Sequence, residues 1–115
     1  MFAREEMSEA PFVLAGASWC GFTKKAEASL DRQDQPLVMG RPLNDWIARL
    51  NCAGEDEGHI ACLHAKKNGF PQLLSCSQDE RGGSCVRVHH GYAEAPVYAN
   101  AITKFLANAR AEKGA

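Results

Sequence analysis

A short apolar segment that leads directly into a helix-forming segment is the feature that most constrains the fold. Residues 12–17 (F-V-L-A-G-A) form a continuous apolar run, which is typical of a buried β-strand. After Cys20 the sequence changes to helix-forming residues, with Phe22, Ala26 and Leu30 spaced by four. This part of the chain is therefore predicted to be a strand, a tight turn and a helix, with Cys20 at the junction.

Residues 45–53 (D-W-I-A-R-L-N-C-A) are compatible with either a helix or a strand. Leu43, Trp46, Ile47 and Leu50 follow the i, i+3, i+4, i+7 spacing of a helix. Alternate residues of the same segment also suit the two faces of a strand. The local pattern leaves both interpretations open.

Residues 55–68 are predicted as a helix. Acidic residues lie at its predicted start and two lysines near its end, which suits the helix dipole, and Gly69 is a natural stop. The spacing places Ile60, Leu63 and Lys67 on one face of this helix.

The remainder of the chain predicts a β-hairpin and a closing helix. Residues 70–76 (F-P-Q-L-L-S-C) and 85–90 (C-V-R-V-H-H) flank a polar turn, so they are predicted as paired strands. Residues 96–109 begin with proline and carry one apolar stripe, which indicates an amphipathic helix. Its members are Val97, Ala101, Ile102, Phe105 and Leu106.

The composition is that of an ordinary globular protein and excludes several functional classes. A length of 115 residues indicates one domain, residues 1–115. Thirteen basic and fourteen acidic side chains give a net charge of -1, which argues against a nucleic-acid-binding surface. No apolar stretch approaches the roughly 20 residues that cross a membrane. We therefore expect a monomeric α/β domain that binds neither nucleic acid nor a membrane.

The N-terminal segment gives little information on location. The sequence M-F-A-R-E-E-M-S-E is acidic and lacks the basic region and apolar run of a signal peptide. We expect a cytoplasmic protein, or an organellar one from which a targeting peptide has been removed.

The five cysteines are odd in number, so at least one thiol is free or pairs between molecules. Cys52 and Cys62 are most simply buried core residues, although either is a candidate resolving thiol. Cys76 and Cys85 flank the predicted hairpin turn, and we expect them to be unpaired rather than joined by a disulfide. No C-x-x-C repeat is present, and the spacing of His59, Cys62 and His64 does not suit a metal, so we predict no metal site.

Four short motifs follow one another along the chain: W-C-G-F-T at 19–23, G-F-P at 69–71, H-G at 90–91 and I-T-K-F-L at 102–106. Their order resembles the thioredoxin-like superfamily, which has W-C-x-x-C at a strand–helix junction, a cis-proline before a hairpin, a glycine at the hairpin's end and a final amphipathic helix. The segment A-R-L-N at 48–51 also resembles a strand of that family. The resemblance implies a thioredoxin-like fold, with a central mixed sheet flanked by helices and a shortened N-terminus, and it favours a strand for the ambiguous segment.

The first motif departs from the thioredoxin pattern in a way that changes the chemistry. Thr23 stands where the second cysteine would be, and Leu14 stands where thioredoxins have a buried aspartate. The sequence C-G-F-T resembles the C-G-F-S of monothiol glutaredoxins, although the lysine that precedes their cysteine is missing. The resemblance implies exchange chemistry that uses one cysteine.

Cys20 and Thr23 are the predicted catalytic residues. A cysteine at a helix N-terminus meets unpaired N–H groups and the positive end of the helix dipole, and both lower the thiol pKa. The hydroxyl of Thr23, three residues later, is placed to stabilise the thiolate by a hydrogen bond. Lys24 and Lys25 add positive charge nearby.

The resemblance also implies a substrate-binding surface around Cys20. A cis-proline at Pro71 would leave the backbone of Phe70 free to pair with an extended substrate segment. Trp19 would form an apolar wall, and Gly21 and Phe22 complete the predicted substrate-binding residues.

The resulting expectation is a monothiol thiol–disulfide oxidoreductase. Its partners would be disulfide-containing or glutathionylated proteins, no cofactor is required, and glutathione is a candidate co-substrate. Release of the mixed disulfide would need an external thiol or a distant cysteine of the chain. Two alternatives stay open: a redox-inactive thioredoxin-like binding module, and a glutaredoxin-like carrier that holds an iron–sulfur cluster through Cys20 and glutathione.

Overall fold

The chain forms a mixed four-stranded sheet, a small two-stranded sheet and three helices in the part that the structure describes. The structure is a computed structural model and describes residues 11–79 and 82–114. The strands are β1 (Phe12–Gly16), β2 (Leu37–Val38), β3 (Arg41–Pro42), β4 (Ile47–Asn51), β5 (Gln72–Asp79) and β6 (Gly82–His90), and the helices are α1 (Gly21–Leu30), α2 (Ile60–Asn68) and α3 (Ala95–Gly114).

The four-stranded sheet has the order β4-β1-β5-β6, while β2 pairs with β3. β1 is parallel to β4 and antiparallel to β5, and β5 and β6 form an antiparallel hairpin. A parallel pair needs a crossover connection, and α1 lies within that connection. The carboxyl ends of β1 and β4 therefore meet at one edge of the sheet, which is where Cys20 follows β1. The expected α/β class is confirmed.

Two apolar clusters pack against the sheet. One joins residues of β1 and β5 to α1 and α3, and the other joins residues of β1, β4 and β5 to α2. Successive side chains of a strand point to opposite faces, so Leu14 and Leu73 enter the first cluster while Ala15 and Leu74 enter the second.

The ambiguous segment is a strand, as the resemblance favours. Residues 47–51 pair in parallel with residues 12–16 of β1. The residues with helical spacing belong to two consecutive elements. Leu43 begins a short 3-10 turn, Leu43–Asp45, in which the N–H of Trp46 donates to the carbonyl of Leu43, and the strand follows this turn.

The prediction of a helix that begins at residue 55 is wrong. α2 begins at Ile60, because His59 caps the helix by accepting the N–H of Ala61 at Nδ1, with a separation of 3.0 Å. The acidic residues before it belong to turns. One of them, Asp56, accepts the backbone N–H of Asn51 at 2.9 Å instead of lying in the first turn of the helix.

The buried face of α2 differs from the predicted one, whereas α3 places its predicted residues Ile102, Phe105 and Leu106 in or against the core and differs at Val97. Leu63 is 52% exposed, and the buried residues of α2 are the small ones, Ala61, Cys62 and Ala65. In α3 the predicted core residue Val97 is exposed, and Tyr98 is buried in the core instead. Both predictions followed apolar spacing alone, whereas the sheet selects the face that fits against it.

The predicted shortening of the N-terminus concerns residues 1–10, which lie outside the described residues.

Tyr98 fixes the turn that follows the hairpin. Its fully buried hydroxyl donates to the carbonyl of Gly91 at 3.0 Å and accepts the N–H of Ala93 at 3.2 Å. The N–H of Gly91 in turn donates to the carbonyl of Pro71 at 2.8 Å. This network connects α3 to the segment that precedes β5.

Replacing Tyr98 by phenylalanine should lower the free energy of unfolding by about 1–3 kcal/mol, because two buried backbone groups lose their partner. Urea denaturation measures this change. The control is Tyr92→Phe, at a side chain that is 38% exposed, which should change stability by less than about 0.5 kcal/mol. Equal effects of the two substitutions would contradict the assignment.

The same tyrosine gives a pH dependence with a defined sign. Burial, partly offset by the hydrogen bond from Ala93, raises the pKa of Tyr98 to about 12. Since the unfolded value is about 10, the stabilisation by the neutral phenol is fully present below pH 10. Urea denaturation of the wild type should show it lost as the pH rises through about 12, and Tyr98→Phe should lack that loss.

Candidate functional site

Cys20 lies at the N-cap of α1, where the helix leaves its first N–H groups without intrahelical partners. Its N–H donates to the carbonyl of Ala17 at 2.9 Å, which closes a tight turn between β1 and the helix. Its carbonyl accepts the N–H of Lys24 at 3.1 Å and so starts the helical hydrogen bonding. The sulfur is therefore held at the positive end of the helix.

The surroundings of Cys20 favour its thiolate. Burial, which leaves only 8% of the residue exposed, raises the pKa of the thiol. The nearby N–H and hydroxyl of Thr23 and the N–H of Phe22 lower it. The net effect is a pKa below the ordinary value of a cysteine thiol.

The geometry of Thr23 determines the direction of its hydrogen bond. The side chain is buried, and its Oγ1 accepts the N–H of Ala17 at 3.2 Å. Since that lone pair is used by an N–H donor, the hydroxyl proton is free to be donated to the sulfur of Cys20. Its methyl group packs against Gly16, where an added Cβ would clash with it.

Phe70 and Pro71 lie beside Cys20, as the resemblance implies. The peptide bond between them is cis. The carbonyl oxygen of Phe70 is 3.9 Å from the sulfur of Cys20, and the ring of Trp19 contacts that of Phe70 edge-on with centroids 6.0 Å apart. The structure thus brings Trp19, Cys20, Phe70 and Pro71 together from two segments that are 50 residues apart.

An exposed apolar surface surrounds the nearly covered sulfur. Trp19 is 71% exposed and Phe22 is 59% exposed, while Gly21 between them is also exposed. Phe22 does not share the buried face of Ala26 and Leu30, because Thr23 takes the buried position in the first turn of α1. The predicted substrate-binding residues of α1 are accordingly accessible.

Cys52 and Cys62 are buried core residues, as expected, but they are joined to each other, so neither is a resolving thiol. They form a disulfide with their Cα atoms 5.3 Å apart, which lies within the usual range for such bonds. The turns after β4 fold back so that the start of α2 lies over the end of that strand. This proximity in space does not follow from the spacing of ten residues in the sequence.

The expectation that Cys76 and Cys85 are unpaired is wrong. The hairpin register places them directly opposite each other, with Cα atoms 4.0 Å apart, and they form a second disulfide. Cys20 is therefore the one free thiol among the five cysteines of the chain, all of which lie within the described residues.

Asn51 is a component of the site that the sequence did not predict. Its side chain at the end of β4 accepts the N–H of Ser18, in the turn that leads to Cys20, at 3.2 Å. An asparagine at the end of a strand is common in turns, so the sequence carried only a weak signal for this contact.

Comparisons with known proteins identify no relative of this chain. No protein-family model matches the chain, and no significant match is found among curated proteins or solved structures. Among residues 11–79 and 82–114, no helix is long and apolar enough to cross a membrane. The same residues contain no group of three or more His, Cys, Asp or Glu side chains suited to a metal ion.

Replacing Thr23 by valine should raise the pKa of the Cys20 thiol, because the methyl-bearing shape is kept while the hydroxyl donor is lost. We expect the thiolate fraction at pH 7 to fall by about three- to tenfold, which corresponds to a lost hydrogen bond worth about 0.7–1.4 kcal/mol. Ultraviolet absorbance of the thiolate, titrated against pH, measures this fraction.

The matched control is Thr23→Ser, which keeps the hydroxyl and should retain most of the thiolate. Cys20→Ser supplies the background of the titration. A titration of Thr23→Val that coincides with the wild type would contradict the assigned role of the hydroxyl.

Proposed function

We propose that this chain is a thioredoxin-like thiol–disulfide oxidoreductase of the monothiol type. The observation that carries the proposal is the free Cys20 at the N-cap of α1, with the backbone of Phe70 beside its sulfur. The order of elements supports the thioredoxin-like part of the proposal. A strand–helix junction carries the cysteine, a proline precedes the β5–β6 hairpin, a glycine follows it, and α3 closes the described chain.

The proposed reaction is thiol–disulfide exchange in two steps. The thiolate of Cys20 attacks one sulfur of a substrate disulfide; a new S–S bond forms to Cys20, the old bond breaks, and the other substrate sulfur leaves as a thiolate that takes a proton from solvent. A second thiol, as its thiolate, then attacks the substrate sulfur of the mixed disulfide. Cys20 leaves as the thiolate that its position at the N-terminus of α1 stabilises.

The second thiol comes from outside the chain in this proposal. Thr23 cannot supply it, and the four other cysteines are joined in pairs. Glutathione or a thiol of a partner protein therefore completes the exchange. This narrows the earlier expectation, which also allowed a distant cysteine of the same chain.

The substrates we propose are disulfide-containing or glutathionylated proteins. The two disulfides favour an oxidising compartment over the reducing cytoplasm, because such bonds persist mainly where thiols are not kept reduced. Within this proposal, an organellar or other oxidising location is therefore preferred to the cytoplasm.

The proposal predicts a requirement for glutathione. The wild type should reduce a glutathionylated peptide in the presence of glutathione, and it should reduce insulin only when glutathione is added. Cys20→Ser should lower the rate to the uncatalysed background, because no nucleophile remains. Product formation is followed by chromatography of the released peptide thiol.

The variant Thr23→Cys should gain an activity that does not depend on glutathione. A second thiol in the first turn of α1 should release the mixed disulfide internally, so insulin reduction should no longer depend on glutathione when a dithiol recycles the enzyme. Catalysis by Cys20→Ser at the wild-type rate, or insulin reduction by the wild type through an internal thiol, would contradict the proposal.

A redox-inactive binding module is the second candidate, and one observation favours it. The side chains of Trp19 and Phe22 are far more accessible than Cys20 between them, a residue that is only 8% exposed. Contiguous exposed apolar surface of this kind often marks an interaction site.

The two candidates respond differently to substitution. If the chain is a binding module, Cys20→Ser should keep its cellular activity, whereas Trp19→Ala and Phe22→Ala should each reduce it strongly. If it is an oxidoreductase, Cys20→Ser should abolish the activity. Complementation of a deletion strain by each variant distinguishes the two, with Leu63→Ala as the control for loss of an exposed apolar side chain elsewhere.

A further inference from the structure

The side chain of Asn51 joins the turn that carries Cys20 to the loop that follows β4. Its Oδ1 accepts the N–H of Ser18 at 3.2 Å and the N–H of Ala53 at 3.2 Å. Both bonds come from backbone groups, so one carbonyl oxygen fixes the relative position of two loops. Ser18 lies two residues before the nucleophile.

The backbone groups of Asn51 and of Cys52 are also held by hydrogen bonds. The N–H of Asn51 donates to Oδ2 of Asp56 at 2.9 Å, and its carbonyl accepts the N–H groups of Gly54 and Asp56, each at 3.2 Å. The next residue, Cys52, donates its N–H to the carbonyl of Gly16 at 2.7 Å.

The disulfide from Cys52 to Cys62 closes this loop covalently onto α2. Asn51 thus projects from a rigid support towards the turn of Cys20. Precise placement of a reactive group generally depends on such supporting residues, because the group's own contacts do not fix the backbone that carries it.

We propose that Asn51 is a positioning residue for Cys20: its amide oxygen holds the turn between Ala17 and Cys20 so that the sulfur stays in reach of the donors of α1. The residue does not touch a substrate or the sulfur. It acts through the N–H of Ser18. Without it the turn keeps the bond from the N–H of Cys20 to the carbonyl of Ala17 and the bond from the N–H of Ala17 to Thr23, but the N–H of Ser18 loses its partner. Its role in exchange rests on the proposed function, whereas its effect on the thiol does not.

Gly54 offers a way to displace the amide without removing it. A Cβ added at Gly54 would lie 2.8 Å from Nδ2 of Asn51, which is the movable end of a side chain. The variant Gly54→Ala should therefore fold but push the amide away from Ser18. Gly58 lies in the same loop, and a Cβ there meets no atom within 4 Å, so Gly58→Ala is the matched control.

Asn51→Ala removes the amide directly and has its own control. Asn44 also donates its side-chain amide to backbone, at 2.6 Å from the carbonyl of Leu30, but this carbonyl lies at the C-terminal end of α1, away from the turn of Cys20. Asn44→Ala should lower stability to a similar extent without affecting the thiol. Urea denaturation confirms that all four variants are folded under the conditions of the measurement.

The readout is the thiolate absorbance of Cys20 against pH, measured on the full chain with both disulfides intact. The thiolate fraction at pH 7 should fall by about three- to tenfold in Asn51→Ala and in Gly54→Ala, because the donors of α1 are no longer aligned with the sulfur. Gly58→Ala and Asn44→Ala should titrate like the wild type. Wild-type titration of both test variants, or an equal shift in the controls, would overturn the proposal.

A parallel exchange assay with glutathionylated peptide separates this proposal from the proposed function. If the wild type does not catalyse exchange, the proposed function fails, while a shifted thiol titration in Asn51→Ala and Gly54→Ala still supports the positioning role. If the wild type catalyses exchange and the titrations do not shift, the positioning role alone fails.

Discussion

The burial of β1 on both faces is the constraint on which the rest of the structure depends. Its backbone pairs with β4 on one side and β5 on the other, and its side chains enter two separate apolar clusters. A strand held in this way has no freedom of register, because a slip by one residue would exchange Leu14 and Ala15 between the clusters. The residues that follow Gly16 therefore leave the sheet at a fixed point. The position of Cys20 relative to the sheet is fixed as a consequence.

The sequence predicted the elements that depend on local pattern and missed the contacts that depend on register. The apolar run before Cys20 and the helix formers after it were enough for β1 and α1. The resemblance to known motifs supplied the proximity of Pro71 to Cys20, across 50 residues that periodicity cannot bridge. Neither source gave the disulfides. Whether Cys76 faces Cys85 depends on the number of residues in the turn, and whether Cys52 meets Cys62 depends on how a loop folds back.

The two apolar clusters are built differently. The cluster on the side of α1 and α3 contains large side chains such as Phe12, Tyr98 and Ile102, whereas the buried residues that α2 contributes to the other are small. Less apolar area is buried there per residue, so packing alone stabilises that side less. Both disulfides lie on that side, with Cys52 and Cys62 inside the cluster and Cys76 and Cys85 packed against it. Covalent links thus reinforce the face that contributes Phe70 to the site.

Because the other four cysteines are paired, Cys20 is the single thiol of the native molecule that a thiol-reactive label can modify. A thiol-reactive fluorophore or spin label would attach at Cys20 without any engineered substitution, at the centre of the surface formed by Trp19 and Phe22. The probe would report directly on whatever approaches that surface. The same property allows the folded chain to be immobilised in one orientation through Cys20.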